Sequence, residues 1–180
     1  MLVRSSAAIA AICMLGGGTL AQSAANFTDP QIAHIAYTAR QIDIEAAKLA
    51  LSKSANSDVR VLAGDMVRDH TAAAKQALDL VQKLKVTPED SDASRALAER
   101  AANERTELSK LNGAAFDKAY IANEVAYQIF VNGVLEITLI PSATNPELKS
   151  LLQTGLKIFQ GHHQRAKDVA HTLQSGDGGK

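Results

Sequence analysis

The sequence predicts an all-α protein, an up-down four-helix bundle with one additional short helix at its periphery. Three observations carry this prediction. Apolar residues recur at three- and four-residue spacing over long segments. Short segments rich in Pro, Asn, Asp and Gly separate those segments. Alanine and leucine supply the apolar mass, with only four phenylalanines, three tyrosines and no tryptophan among 180 residues, which suits closely packed helices.

Residues 1–21 are predicted to be a cleaved signal peptide. Arg4 provides a basic start, an apolar run follows at residues 7–15, and Thr19 and Ala21 are small residues suited to a cleavage site. Cleavage after Ala24 and an uncleaved membrane anchor are the alternatives, but the apolar run is too short to span a bilayer. Cys13, the only cysteine, lies in this leader, so the mature chain is expected to carry no disulfide.

The first two helices of the mature chain are predicted to form an antiparallel hairpin. Asp29 suits the N-cap and Pro30 the first helical position of a helix that runs to about residue 54. A break at residues 56–58 starts a second helix that fades near Lys85. A link this short joins antiparallel neighbours.

The third helix, residues 92–111, has a narrow apolar stripe of Leu97, Ala101, Leu108 and Leu111, with charged residues elsewhere. We expect it to lie on the periphery of the bundle, or alternatively to mediate a homodimer.

The fourth helix, residues 116–138, is the most apolar, and Pro141 is expected to end or kink it. Its predicted buried residues are Phe116, Tyr120, Tyr127, Val131, Val134 and Ile137. The last helix follows the cap signal Asn145-Pro146, with a stripe of Leu148, Leu152, Gly155, Phe159, His162, Ala166, Val169 and Leu173. The bundle domain is therefore predicted over residues 28–174, with a flexible tail at 175–180.

Charge excludes some partners. Basic and acidic residues balance at nineteen each, so no net field favours nucleic acid. No segment after the leader approaches the roughly 20 apolar residues that cross a bilayer, and no membrane span is expected after cleavage.

Polar residues interrupt the apolar stripes at positions that could converge in the bundle core. His70 continues the stripe of the second helix, and His162 continues that of the last. Imidazoles and carboxylates from facing helices are the donors of bundle-core transition-metal sites. The candidate metal ligands are His70, His162, Asp69, Asp43 and Glu124.

Two interpretations of these residues remain open: a metal-binding site and a structural set of buried polar groups. Carboxylate-bridged di-iron bundles use Glu-x-x-His on two helices, whereas Val67 stands three residues before His70 and Phe159 three before His162. A di-iron centre is therefore disfavoured. In the other reading, neighbours satisfy His70 and Asp69 by hydrogen bonds, and the buried polar groups fix the packing register.

Several segments resemble a known bacterial family. They are residues 28–30 (TDP), 43–50 (DIEAAKLA), 65–71 (DMVRDHT), 116–121 (FDKAYI) and 162–166. The family comprises exported proteins classed as a domain of unknown function, often labelled "predicted outer membrane protein", with a ferritin-like helical bundle. The resemblance implies the fold and export but no activity. Asp43 and Gln128 depart from the family's usual Glu and His, and Ile158 lies where the family tends to have Pro.

The sequence therefore predicts an exported protein, periplasmic or secreted, of unknown biochemical activity. We expect a non-catalytic binding module or an envelope stress-related module, with a protein or small molecule as its partner. The alternative is a metal-binding or redox bundle that uses the core His and carboxylate residues, with a transition metal as its cofactor. No catalytic residue is predicted.

Overall fold

The computed structural model describes residues 27–176, and within that range the chain is helical without strands. The elements are α1 (Asp29–Lys53), α2 (Ser57–Leu84), α3 (Asp92–Ser109), α4 (Gly113–Val134), a π-helical segment (Leu135–Leu139), the short turn α5 (Ile140–Ser142) and α6 (Pro146–Ser175). The predicted leader 1–21 with Cys13, and residues 177–180, lie outside the described residues.

The predicted four-helix bundle with an additional peripheral helix is confirmed. Helices α1, α2, α4 and α6 form the bundle, and they follow the order α1–α2–α6–α4 around it. Helix α3 packs mainly on α1. Because α2 and α6 are neighbours, their two stripe histidines can meet.

The start of α1 differs from the prediction. Thr28, not Asp29, is the N-cap: the Thr28 hydroxyl accepts a hydrogen bond from the Gln31 amide at 3.4 Å, and the Gln31 side chain accepts one from the Thr28 amide at 3.2 Å. Asp29 instead accepts hydrogen bonds from both backbone and hydroxyl of Thr144 and from the backbone of Asn145, at 2.6–2.9 Å. Asp29 therefore ties the start of α1 to the link that precedes α6.

The end of the fourth helix also differs. The chain stays helical through the π-helical segment and Pro141, and its last helical residue is Ser142. Leu135 and Leu139 are buried because they continue, at four-residue spacing, the buried row set by Val131. Ile137 faces away from that row and is 79% exposed, so its predicted burial is wrong.

The stretch Gly113–Ser142 is long and apolar enough to cross a membrane by length and composition, with a mean hydropathy of 1.3, so the prediction that no segment after the leader meets this test is wrong. Core helices and signal sequences also pass the test, and 22% of the apolar window is buried within the bundle. This one packs against α6 and buries Glu124 and Gln128 inside the bundle.

Helix α3 uses its narrow stripe within the chain. Ala101 and Leu108 are buried in the core, while Leu97 and Leu111 are half-buried. An ion pair of 2.8 Å between Arg105 and Glu45 adds a contact between α3 and α1.

The apolar core consists of two clusters at opposite ends of the bundle. One contains Ile32, Ile35, Ala36, Ala39, Ile42, Ala101, Tyr127, Val131, Leu135, Leu139, Ala143, Leu148, Leu152 and Phe159. The other contains Ala46, Ala47, Ala50, Val59, Leu62, Ala63, Met66, Leu108, Phe116, Tyr120, Ile121 and Ala166. Buried residues of the predicted stripes extend to Ala73 in α2 and to Ala166 in α6, and beyond those residues the stripes are only half-buried.

Helix α6 ends one residue later than predicted. Ser175 is its last residue, and Gly176 caps it in the left-handed conformation at φ 78°. Glycine adopts this conformation without steric cost, which is why it favours helix C-termini.

Candidate functional site

A layer of buried polar side chains separates the two apolar clusters. Every bundle helix contributes to it: Arg40 and Asp43 from α1, His70 from α2, Glu124 and Gln128 from α4, and His162 from α6. Each lies on the core-facing row of its helix, at three- or four-residue spacing from buried apolar neighbours.

Asp43 lies at the centre of this layer. Its Oδ2 is 2.9 Å from Nε2 of His70, and the Gln128 amide donates to both of its oxygens at 3.2 and 3.3 Å. Asp43 and His70 are 0% and 1% exposed. The His70 contact is a close pairing of polar atoms without hydrogen-bond alignment, since neither ring nitrogen forms a hydrogen bond within the described chain.

Burial sets the protonation of this pair. It raises the pKa of Asp43 to about 8, against a lowering by the hydrogen bond from Gln128. Burial, followed by the charge of Arg40, lowers the pKa of His70 to about 4, and Asp69 opposes that shift. At neutral pH these shifts favour a protonated Asp43 beside a neutral His70, so the pair holds one proton.

Glu124 is a second buried acid. Burial raises its pKa well above the usual value, Asp43 raises it further, and the nearby Gln128 amide opposes the shift without meeting hydrogen-bond geometry. Neither of its carboxyl oxygens has a hydrogen-bond partner within residues 27–176. A protonated, neutral carboxyl group is the form that such an environment favours.

His162 belongs to the outer edge of the layer. Its ring centroid is 5.2 Å from that of His70, and its Nε2 is 3.4 Å from Oδ2 of Asp69. Burial, then His70, lowers the pKa of His162 to about 4. Asp69 is partly exposed and also accepts a hydrogen bond of 2.8 Å from Arg68.

Asp69 and His70, two adjacent polar residues that the sequence places at the core, therefore have different partners in the structure. The two residues are adjacent in sequence, but His70 pairs with Asp43 across the bundle, and Asp69 faces His162 and Arg68. Successive residues on a helix point about 100° apart, which is why these neighbours diverge.

The five predicted metal ligands do not converge on one point. Asp43 and His70 form one contact, Asp69 and His162 another, and no described group of three or more His, Cys, Asp or Glu side chains is arranged to hold a metal ion. The donor set does not fit the di-iron centre that a ferritin-like fold would imply, since those centres need inward carboxylates and Glu-x-x-His pairs together.

Aromatic side chains enclose the polar layer. The hydroxyl of Tyr127 donates to the carbonyl of Ala39 at 2.9 Å, and that of Tyr120 donates to the sulfur of Met66 at 3.6 Å. The ring of Phe159 lies 4.7 Å from that of His70. Both members of the Asp43–His70 pair are buried within this enclosure.

An apolar cavity of about 260 Å³ opens between α1, α2 and α6, beside the polar layer. Its walls include Ala33, Ala36, Ala77, Leu80, Val81, Leu84, Leu148 and Leu152, and Arg40 also lines it. The prediction from sequence did not identify this cavity. The available signal was Arg40 itself, which shares one helix face with Ala36, Asp43 and Ala47.

Fold and site together define the class: an all-α bundle whose core is divided by a buried layer of acids and imidazoles. The chain belongs to the family described as "Domain of unknown function (DUF4142)", whose model matches residues 17–169. This confirms the resemblance to an exported family of unknown function.

A solved structure has a similar fold. The "Crystal structure of putative secreted protein DUF305 from Streptomyces coelicolor" matches with a TM-score of 0.64 and 13% identity, over 82% of this chain and 94% of that one. At this identity the likeness concerns the fold alone. No curated protein matches the chain at a significant level.

Proposed function

We propose that this protein is an exported, non-catalytic binding module whose ligand site is the apolar cavity between α1, α2 and α6. Three observations support export: the leader-like residues 1–21, the family, and a structural relative described as a "putative secreted protein". The periplasm, or the medium, is the proposed location.

The cavity carries the proposal. An apolar cavity of about 150 Å³ already admits benzene, and by the same proportion 260 Å³ accommodates a chain or ring system of about ten carbon atoms. Cavities of this kind, with few polar groups, are typical small-molecule sites.

The end of α2 supports a ligand in this place. Its apolar stripe continues through Ala77, Val81 and Leu84, yet no side chain among residues 74–84 is fully buried. Tyr37 and Leu78 line the cavity and are 41% and 54% exposed. A ligand with an apolar body would cover surface that the fold leaves accessible to water.

The enclosure of the polar layer supports a non-catalytic role. Asp43, His70 and Glu124 are each at most 1% exposed, so their chemistry is not presented to a substrate. The layer instead fixes the relative positions of four helices.

Binding of octan-1-ol, a neutral apolar probe, tests the proposal. We expect saturable binding by calorimetry, and at ten times Kd a gain of about 1.4 kcal/mol in the free energy of unfolding. Ala77→Phe places a large side chain in the cavity and should lower affinity at least about tenfold, the equivalent of about 1.4 kcal/mol.

The matched control is Ala72→Phe, an exposed position on the same helix, which should bind octanol like the unmodified protein. Absence of saturable binding in the unmodified protein, or equal affinity in both Phe variants, would overturn the proposal.

Metal binding by the polar layer is the second candidate. The buried carboxyl of Glu124 favours it, because a bound cation would satisfy its two oxygens, although no third donor is arranged beside them among the described residues. Metal analysis of the purified protein and of His70→Ala decides it. No bound Fe, Zn, Cu or Mn, and no melting shift on their addition, would eliminate this candidate.

The predicted homodimer and envelope-stress role remain predictions. A sedimentation coefficient that does not change with concentration would contradict the dimer. Unaltered survival of a deletion strain under envelope stress would contradict the second role.

A further inference from the structure

Arg40 is a buried cation without a partner. It is 3% exposed, and its guanidinium makes no hydrogen bond or ion pair with any described residue. Burial lowers its pKa, and no neighbouring acid opposes that effect. Buried charges in proteins are normally paired, because an isolated one costs several kcal/mol or more.

The cavity offers the place where its partner would lie. The α1 residues that line it run from Asp29 at the end of the bundle to Arg40, about 16 Å further in at 1.5 Å per residue. Arg40 also lines a smaller apolar pocket that contains Gly155, where a Cβ atom added to Gly155 would lie 3.3 Å from Nη2 of Arg40. Arg40 therefore lies at the inner end of a mostly apolar cavity, where it borders the next pocket of the core.

The acids of the surrounding helices are already engaged. Asp43 contacts His70 and Gln128, and its raised pKa favours the neutral form. Asp29, at the outer end, accepts hydrogen bonds from Thr144 and Asn145. His70 is neutral at physiological pH and supplies no negative charge.

A guanidinium at the base of an apolar cavity suits an anionic head group. Its planar fork matches carboxylate and phosphate oxygens in pairs. Arg40 is the one Lys or Arg side chain among the described residues that line the cavity, and His34 lines it nearer the outer end. A single guanidinium balances a single negative charge, which favours a carboxylate over a phosphate monoester dianion.

Building on the proposed function, we propose that the cavity binds an amphipathic monocarboxylate, whose carboxylate pairs with Arg40 while its hydrocarbon body lies against α1, α2 and α6. A medium-chain fatty acid or an arylalkanoic acid of about ten carbons has this chemistry and size.

Octanoate and octan-1-ol have the same chain length and differ in charge. The difference between their affinities, measured by calorimetry at neutral pH, gives the contribution of the carboxylate. We expect the unmodified protein to bind octanoate about tenfold more tightly than octanol, or about 1.4 kcal/mol. Arg40→Met should abolish or reverse this preference and leave octanol affinity within about threefold, because the Met side chain retains the apolar stem. Arg40→Lys should keep part of the preference.

Stability provides a second measurement. Without ligand, Arg40→Met should unfold at an equal or higher temperature than the unmodified protein, since it replaces an unpaired buried charge by an apolar group. The matched control is Arg100→Met on the exposed face of α3, which should keep the octanoate preference.

The outcomes separate the two proposals. Saturable octanol binding without tighter octanoate binding overturns the role of Arg40 and leaves the cavity as a neutral apolar site. Failure of both probes to bind overturns the ligand-binding function itself. A large drop in the melting temperature of Arg40→Met would show that Arg40 is structural and would contradict the anion site.

Discussion

Replacement of Asp43 by Asn removes the buried acid that shares a proton with His70. In the unmodified protein we expect the free energy of unfolding to fall between pH 6.5 and 8, and in the variant this fall should be absent or smaller. Asn preserves the shape of Asp and can still contact Gln128, but it cannot titrate. The perturbation therefore isolates the proton held at the centre of the bundle.

The magnitude follows from the two pKa shifts. Between pH 4 and 6.5 the unfolded chain has an ionised Asp43 and a protonated His70, so the pair holds one proton in both states and contributes no slope. Above 6.5, the ordinary pKa of His, the unfolded chain loses that proton, while the folded pair keeps it until about pH 8.

The folded state then binds more protons, and the free energy of unfolding falls with pH by about 1.4 kcal/mol per unit. Over this window the loss is about 2 kcal/mol. In Asp43→Asn, His70 is neutral in the folded state and, above its ordinary pKa, in the unfolded state as well. The variant therefore lacks this slope.

Urea unfolding at pH 6.5, 7.25 and 8, followed by circular dichroism, measures the effect. Glu124 also has a pKa raised mainly by burial and adds its own fall with pH in both proteins, so the difference between them is the relevant quantity. Asp79→Asn, at an exposed position of α2, is the control, and its free energy of unfolding should change with pH as in the unmodified protein. A difference that stays constant within about 0.5 kcal/mol from pH 6.5 to 8 would refute the shared proton.

Three further variants test packing and helix ends by urea unfolding. Phe116→Ala, at a fully buried position, should lower the free energy of unfolding by about 3–5 kcal/mol, whereas Val61→Ala, an exposed control, should change it by about 0.5 kcal/mol or less; equal effects would contradict the assigned core. Asn56→Ala removes the side chain that caps α2 through two backbone amides and should cost about 1 kcal/mol, and a neutral result would mean that water replaces the cap. Asp29→Asn should cost about 1–2 kcal/mol, because hydrogen bonds to a charged acceptor weaken. Partial burial would raise the pKa of Asp29, but the hydrogen bonds from Thr144 and Asn145 hold it below its usual value. The loss of stability in Asp29→Asn should therefore shrink as the pH falls below about 4, the ordinary pKa of Asp. A loss that does not depend on pH would exclude the charge as its source.

Helix positions were largely predictable because apolar periodicity and cap residues are local signals. The stripes of α2 and α6, the break before α2 and the cap at Asn145 are read directly from the sequence. The errors occur where a distant contact overrides a local preference. Asp29 could serve as an N-cap, but it instead binds the Thr144–Asn145 link, which is far away in sequence.

The site was predictable in composition and not in pairing. His70, Asp43, Glu124 and His162 stand out because they interrupt apolar rows, and all four are buried. Their partners depend on which helices are neighbours around the bundle, and that order is not encoded at any single position. Arg40 was missed because one cation next to a stripe resembles a side chain that reaches solvent.

The sequence by itself determined the all-α bundle, the approximate extent of its helices and the acids and imidazoles that enter its core, since these follow from local spacing and caps. Only the tertiary structure decided that Asp43 rather than Asp69 meets His70, and that a cavity remains beside Arg40. Pairing and voids depend on how four helices are rotated and spaced against each other. That arrangement follows from the packing of the whole core.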